Sequence, residues 1–316
     1  MAAREGAVSL REIEAAADRI RPYILSTPLV RGDTLGPAAP WLKLESLQRT
    51  GSFKIRGAFN AILQLTEEQR RRGVITLSAG NHGQALAFAA HRFEIPCVVV
   101  IREDAPRAKL DAISALGAEI VLTPVARWQT RLEEEQARRG LHLVHPFDDP
   151  AVVNGQGTVG LEILSALPSV RTIVVPVGGG GLISGLAVAV KSLKADVRII
   201  GVEPAGADAV SRSLAGGHAV SLDHIDTVAD GLAAPYTRAL NLALVQAHVD
   251  QVITVTDRAM LEALRRIVQR GKLVVEPAGA AAIAALASIA AEAPVVAILT
   301  GGNVDPGRLC EWLAVP

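Results

Sequence analysis

The sequence predicts an α/β protein whose largely parallel strands are shared between two sheets. Three observations carry this. Short aliphatic runs recur along the 316 residues, helix-length segments rich in Ala, Leu, Arg and Glu separate them, and the length amounts to roughly two domains at about 150 residues each. The runs are 41–44, 74–77, 97–101, 120–122, 141–144, 173–177, 197–202, 252–255 and 295–299. Most are continuously apolar rather than alternating, as in strands covered on both faces. The helical segments are 84–93, 108–116, 128–139, 182–193, 258–270 and 278–291, and their alternation with the strands is the signature of parallel sheet. Thr66, followed by Glu67, Glu68 and Gln69, starts a helical turn, while Gly73, Gly117, Gly140 and Gly271 close helices. No repeat and no low-complexity linker marks a boundary.

Composition narrows the function. Lys+Arg and Asp+Glu both number 32, so the formal net charge is zero. A nucleic-acid binder carries a basic excess to meet phosphates, and a lipid-surface binder does likewise. Neither is expected here. Aromatics at 3% leave little for base-stacking platforms. The 50% hydrophobic content supports a sizeable core. Cys97 and Cys310 are too few for a disulfide framework or metal cluster. Arg4, Glu5, Arg11, Glu12, Glu14, Asp18 and Arg19 break any apolar leader. The uncharged stretch between Arg171 and Lys191 contains Pro176 and four consecutive glycines, unsuited to a lipid-exposed helix. The expectation is a cytoplasmic protein acting on a small molecule, with no nucleic-acid or membrane partner.

Four motifs at strand ends or turns could carry chemistry. Lys54 follows the Thr50-Gly51-Ser52 turn and opens a helical segment among Phe53, Ile55, Ala58, Phe59, Ile62 and Leu63. Most lysines are solvated surface groups. One drawn into apolar surroundings loses proton affinity and becomes a usable amine nucleophile. Ser78-Ala79-Gly80-Asn81-His82-Gly83 follows a strand and enters a helix. Such a loop either caps the helix or presents backbone N–H groups to an anion. Gly178-Gly179-Gly180-Gly181-Leu182 also follows a strand, and its glycines allow the backbone to wrap a phosphate. The dinucleotide fingerprint requires glycines at i, i+2 and i+5. Ile183 or Ser184 occupies the last place, although Glu203 ends the next strand where an acid could meet a ribose. Thr300-Gly301-Gly302-Asn303 lies at the last strand end, offering a hydroxyl beside two glycines. The seven histidines show no HExxH spacing, and there is no Gly-x-Ser-x-Gly elbow.

In this order, and together with Gly155-Gln156-Gly157-Thr158, Val202-Glu203-Pro204, Asp230-Gly231 and Val275-Glu276-Pro277, the motifs resemble the fold type II pyridoxal-phosphate enzymes. They look most like the serine/threonine dehydratase and serine racemase group. The resemblance runs from about Thr27-Pro28-Leu29 to Asp305. It implies a tryptophan synthase β-like architecture of two domains, each a largely parallel sheet flanked by helices. Residues 1–48 and 146–316 would form a large cofactor domain, and 49–145 a small inserted one. Pyridoxal 5'-phosphate would be the cofactor and an amino acid the substrate, in a homodimer. Lys54 would bond the cofactor aldehyde, Phe53 line it and Asn81 meet its ring hydroxyl. Gly178, Gly179, Gly180, Gly181 and Leu182 would cradle the phosphate. Thr300, beside Gly301, would face the pyridine nitrogen, and Glu276 would sit near the ring. Ser78, Ala79, Gly80, Asn81 and His82 would form the substrate-carboxylate loop, with Asp230 near the substrate side chain.

Two departures shape the expected activity. Racemases of this group carry a second serine where this chain has Ala79, which has no proton to give. Some members bind a divalent cation through the Glu of Val-Glu-Pro, a carbonyl four residues on and an acid two further. Here these are Glu203, Ala207 and Ala209, and the last cannot ligate through its side chain. The resemblance thus implies a dehydratase, or ammonia-lyase, performing β-elimination on threonine, serine or another β-hydroxy amino acid. A racemase is the first alternative. A nucleotide-binding oxidoreductase, resting on the glycine loop and Glu203, is the second. Because the chain ends soon after Asp305, a catabolic type without isoleucine feedback is expected.

Overall fold

The computed structural model describes residues 7–36, 39–78, 80–105 and 107–314. The strands are β1 (Leu29–Arg31), β2 (Trp41–Lys43), β3 (Val74–Leu77), β4 (Cys97–Arg102), β5 (Glu119–Thr123), β6 (His142–Leu143), β7 (Thr172–Pro176), β8 (Arg198–Pro204), β9 (Gln251–Val255) and β10 (Val295–Ile298). They form two sheets. One has the order β1-β2-β10-β7-β8-β9 and the other β5-β4-β3-β6. Every pairing is parallel except β1 with β2. Each of the nine apolar runs coincides with a strand to within about two residues at its ends; β1, whose residues are half-buried or exposed, carries no such signal. β7 and β10 are buried at every position, the continuous burial expected of strands covered by helices on both faces.

The helices are α1 (Leu10–Ile20), α2 (Lys54–Leu63), α3 (Glu67–Arg72), α4 (Asn81–Arg92), α5 (Arg107–Ser114), α6 (Trp128–Arg139), α7 (Pro150–Ala166), α8 (Gly181–Leu193), α9 (Ala209–Gly216), α10 (Ala239–His248), α11 (Asp257–Arg266), α12 (Pro277–Ala285) and α13 (Pro306–Ala314). Thr66 and Gln69 form a capping box on α3, and Gly73 and Gly140 close α3 and α6 at positive φ. Two helices end sooner than their patterns suggest. A π-turn over Ile267–Gly271 follows α11, and Lys272 rather than Gly271 takes the left-handed conformation. α12 stops at Ala285. Among the described residues no helix is long and apolar enough to cross a membrane.

The longest helix, α7, has no place among the sequence-read segments because Gly155, Gly157 and Gly160 lower its helical propensity. Those glycines are the reason it packs as it does. A Cβ on Gly155 would stand 2.6 Å from the Arg56 carbonyl oxygen, and one on Gly185 of α8 would stand 2.1 Å from that of Val153. Only hydrogen at these places lets α2, α7 and α8 approach so closely.

Beneath α2 lies a buried ionic cluster. Arg56 is 0% exposed. Its guanidinium donates to Glu45 twice at 2.8 Å, to Glu162 at 2.7 and 2.9 Å, and to Thr158 Oγ1 at 3.1 Å. Lys43 donates to the Thr27 carbonyl at 2.7 Å and to Glu162 at 2.5 Å. Burial alone would loosen the Arg56 proton; the two carboxylates more than offset this and raise its pKa. Removing one partner from such a cluster leaves a buried charge without compensation. Arg56→Met is therefore expected to lower unfolding stability by about 3–5 kcal/mol, and adding Glu45→Gln to recover part of the loss. Denaturant unfolding of the three proteins measures this, and a loss under about 1 kcal/mol for Arg56→Met would contradict it.

Candidate active site

A pocket opens where the carboxyl ends of parallel strands from the two sheets approach one another, the usual place for ligands in open α/β sheets. It is lined by Lys54 at the start of α2, Asn81 at the start of α4, the glycines entering α8, Glu276 and Ala278 at the start of α12, and Thr300 after β10. None of these four helices has a side-chain cap at its N-terminus. Ser78 and Asn81 therefore do not cap α4. Instead Ser78 Oγ accepts from the Gly80 N–H at 3.2 Å, which shapes the loop and leaves the helix end open. Ala79 lies outside the described residues.

The turn before Lys54 is stitched to the loop after β10. Phe53 N donates to the Thr300 carbonyl at 3.1 Å and Gly302 N to the Gly51 carbonyl at 2.9 Å, with a β-bridge between Ser52 and Gly301. Gly51 has φ 72°, and a Cβ there would collide with Asn303 Oδ1 at 2.3 Å, so glycine is required on both counts. Lys54 Nζ rests against the Pro146 carbonyl at 2.9 Å, 5.2 Å from the Phe53 ring centroid. Burial lowers its pKa to about 8, against the opposing pull of Glu276.

Asn81 reaches across to the other sheet's elements. Its Nδ2 donates to Glu276 Oε1 at 2.7 Å, and its Oδ1 accepts from Asn303 Nδ2 at 2.7 Å. Asn303 also donates to the Thr50 carbonyl. Burial raises the Glu276 carboxyl to about 7, with the Asn81 hydrogen bond pulling the other way. A Cβ on Gly301 would stand 2.4 Å from Glu276 Oε1, so this glycine makes room for the carboxylate.

The four-glycine loop is held from behind. Asn241 Nδ2 donates to the carbonyls of Phe147 and Gly179 at 2.8 and 3.2 Å, and Thr237 Oγ1 to that of Gly179 at 3.2 Å. A side chain at Gly179 would meet the Phe147 ring at 2.4 Å, and Gly180 has φ 95°. The loop with the first turn of α8 is thus a bare backbone cradle, fit for a phosphate. With the nearby Lys54 amine, the residues present fit pyridoxal phosphate.

Three expected participants are placed differently from their sequence reading. His82 is 2% exposed, and its Nε2 donates to the Val144 carbonyl at 3.0 Å. Burial, then Lys54, pushes its pKa down to about 3, so the ring stays neutral and its Nδ1 is an acceptor. Such a ring cannot donate to a carboxylate, and His82 belongs to the loop through its backbone alone. Asp230 turns its carboxylate to Lys109 at 2.8 Å and is 76% exposed; its neighbours Gly231 and Leu232 line the pocket instead. Glu203, 0% exposed, does not line the pocket. One of its oxygens accepts from Val210 N at 2.8 Å, the other from Ser211 N and Oγ at 2.8 and 2.6 Å. With its carboxylate bound to the first turn of α9, it can meet neither a ribose nor, with Ala209 beside it, a metal. Asp208 pairs with Arg212. Among the described residues no group of three His, Cys, Asp or Glu could hold a metal. Ala207 is buried, and a cation does not fit this donor set.

Asn303, Phe147 and Asn241 escaped the sequence reading. Asn303 stands inside the Thr300 motif and its polarity was a usable signal. Phe147 and Asn241 gave none, because their role depends on a backbone contact between distant segments.

The comparisons agree with this geometry. The family described as pyridoxal-phosphate dependent enzyme matches residues 20–301. The L-threonine ammonia-lyase of Thermotoga maritima is 40% identical, over 94% of this chain and 76% of that protein. The catabolic L-threonine dehydratase of Staphylococcus aureus is 40% identical, over 96% and 91%. The solved serine racemase of maize superimposes with a TM-score of 0.92 at 37% identity, covering 96% of both chains. With a family match over most of its length and relatives at about 40% identity, the chain belongs to the fold type II family of pyridoxal-phosphate-dependent enzymes.

Proposed function

We propose that the protein is an ammonia-lyase that eliminates the β-hydroxyl of L-threonine or L-serine to give a 2-oxo acid and ammonia. The observation that carries this is the Lys54 amine, buried and brought to about 8 where four uncapped helix ends meet. Relatives bearing threonine ammonia-lyase and dehydratase names support the substrate class. In this reading residues 49–145 carry the carboxylate loop, and 1–48 with 146–316 carry the phosphate cradle.

Bound pyridoxal phosphate supplies an electron sink for charge developing at the substrate Cα. Gly178 to Leu182 offer their amides to its phosphate. Ser78 and the open end of α4 receive the substrate carboxylate. Lys54 Nζ takes the Cα proton as the Cα–H bond breaks. Thr300, a neutral hydroxyl, lends the ring nitrogen no full charge, so the electron pair at Cα is best relieved by breaking the Cβ–O bond. The proton that Lys54 took from Cα balances the departing hydroxyl, which leaves as water, and hydrolysis of the released enamine yields the 2-oxo acid and ammonia. Asn81 and Glu276 line the ring side of the pocket.

The serine racemase likeness favours a second reading, racemisation. That reaction requires an acid on the opposite face, and Ala79 offers none.

Purified holoenzyme is expected to release 2-oxo acid from threonine and serine faster than it forms D-enantiomer. A D-enantiomer rate rivalling oxo-acid release would defeat the argument from Ala79, and Ala79→Ser is expected to shift the ratio toward racemisation. Lys54→Ala should abolish the visible imine absorbance and slow turnover at least about a hundredfold. For apoenzyme given cofactor, the imine band should grow faster as pH rises through about 8, since the amine attacks only when neutral and burial lowers its pKa to that value. A rate climbing instead toward pH 10.5, the ordinary lysine value, would mean that Lys54 is not held as described.

A further inference from the structure

The pocket mouth carries an ion pair that the reaction above does not use. Lys109 Nζ lies 2.8 Å from Asp230 Oδ2. Lys109 belongs to α5, which crosses between strands of the four-stranded sheet, and Asp230 to a turn 121 residues away on the side of the six-stranded sheet. The pair therefore spans the cleft. It also sits close to the reacting region. Gly231 and Leu232, next to Asp230, line the pocket, and a Cβ on Gly231 would stand 3.3 Å from Glu276 Oε1. Burial is the main influence on Glu276, and after the Asn81 hydrogen bond come Lys109 and Asp230, acting in opposite senses. Lys109 is the inner member, with 29% of its side chain exposed against 76% for Asp230.

An exposed pair of this kind adds little to stability. Its consequence is electrostatic. A lysine at the mouth would attract any substrate carrying a second carboxylate at Cβ. Asp230 occupies that lysine and offers negative charge of its own. Threonine and serine bear no charge there; 3-hydroxyaspartate does.

Building on the elimination reading above, we propose that Lys109 and Asp230 are specificity-determining residues. Paired, they leave no free positive charge at the mouth and set the more exposed Asp230 carboxylate outermost, so an uncharged β-substituent is admitted and a β-carboxylate is turned away. Discrimination here rests on a repulsive element as much as an attractive one.

The test compares kcat/KM for 3-hydroxyaspartate and L-threonine in holoenzyme. Asp230→Asn frees Lys109, and the ratio of 3-hydroxyaspartate to threonine should rise about tenfold, chiefly through KM and less at high salt. Adding Lys109→Met to Asp230→Asn should cancel the gain, which a merely structural role would not do. The inference is overturned if Asp230→Asn moves both substrates alike, if the gain survives Lys109→Met, or if the unmodified enzyme already prefers 3-hydroxyaspartate. Absence of 2-oxo acid release from threonine and serine in the unmodified holoenzyme would overturn the elimination reading and this inference together.

Discussion

Four helices begin at one pocket, and none of α2, α4, α8 and α12 is capped by the side chain of its N-cap residue. Each open N-terminus carries roughly half a positive charge. Proteins ordinarily quench such ends with Ser, Thr, Asp or Asn, as Ser9, Thr66 and Thr256 do for α1, α3 and α11. α6 and α10 also begin without such a cap, so it is the meeting of four bare ends at one place that makes the pocket a site for anions. Even Glu276, the N-cap of α12, turns its carboxylate to Asn81 rather than to its own helix. The glycines at 178–181 let the loop lie flat against Leu232, Phe147 and Asn241 behind it, with Gly180 at φ 95°, and that packing sets its backbone as the cradle.

Convergence of this kind has to be held open from outside, and α2 is where the hold is firmest. Arg56 lies two residues beyond Lys54 and ties its helix to Glu45 before it and Glu162 on α7. The Gly155 and Gly57 contacts bring α7 against α2 at backbone distance. From the other side, the bridge between Ser52 and Gly301 couples the lysine turn to the end of β10. The amine is thus fixed by strongly directional contacts on two elements rather than by its own flexible stem, which favours a proton transfer that depends on position.

What the sequence made legible was local. Continuous apolar runs marked nine of the ten strands, and the glycine loop and Lys54 announced themselves through their neighbours. What it hid was long-range pairing. Arg56 reads like any charged residue in an apolar helix, because the partners that make its burial tolerable lie 11 and 106 residues away. Asn81 looked like a helix cap or ring ligand, and its bond to Asn303 spans 222 residues. α7 was missed because its glycines argue against a helix locally and for close packing globally. Glu203 looked available for a ribose or a metal, until α9 folded back onto both of its oxygens.

The zero net charge of the chain conceals how the pocket is balanced. Burial pulls the Lys54 amine down to about 8 and pushes the Glu276 carboxyl up to about 7, so low polarity biases both toward their neutral forms. Each charge helps the other only in part. A pocket rimmed by helix N-termini, with both its buried titratable groups inclined to give up charge, is matched to receive charge rather than to hold it. A phosphate and a carboxylate arriving with cofactor and substrate would find amides already oriented, and a lysine that gives up its proton far more readily than an exposed one. The cost of exposing that many uncapped amides is thus offset at the moment of binding, which ties the stability of the cradle to the ligands it serves.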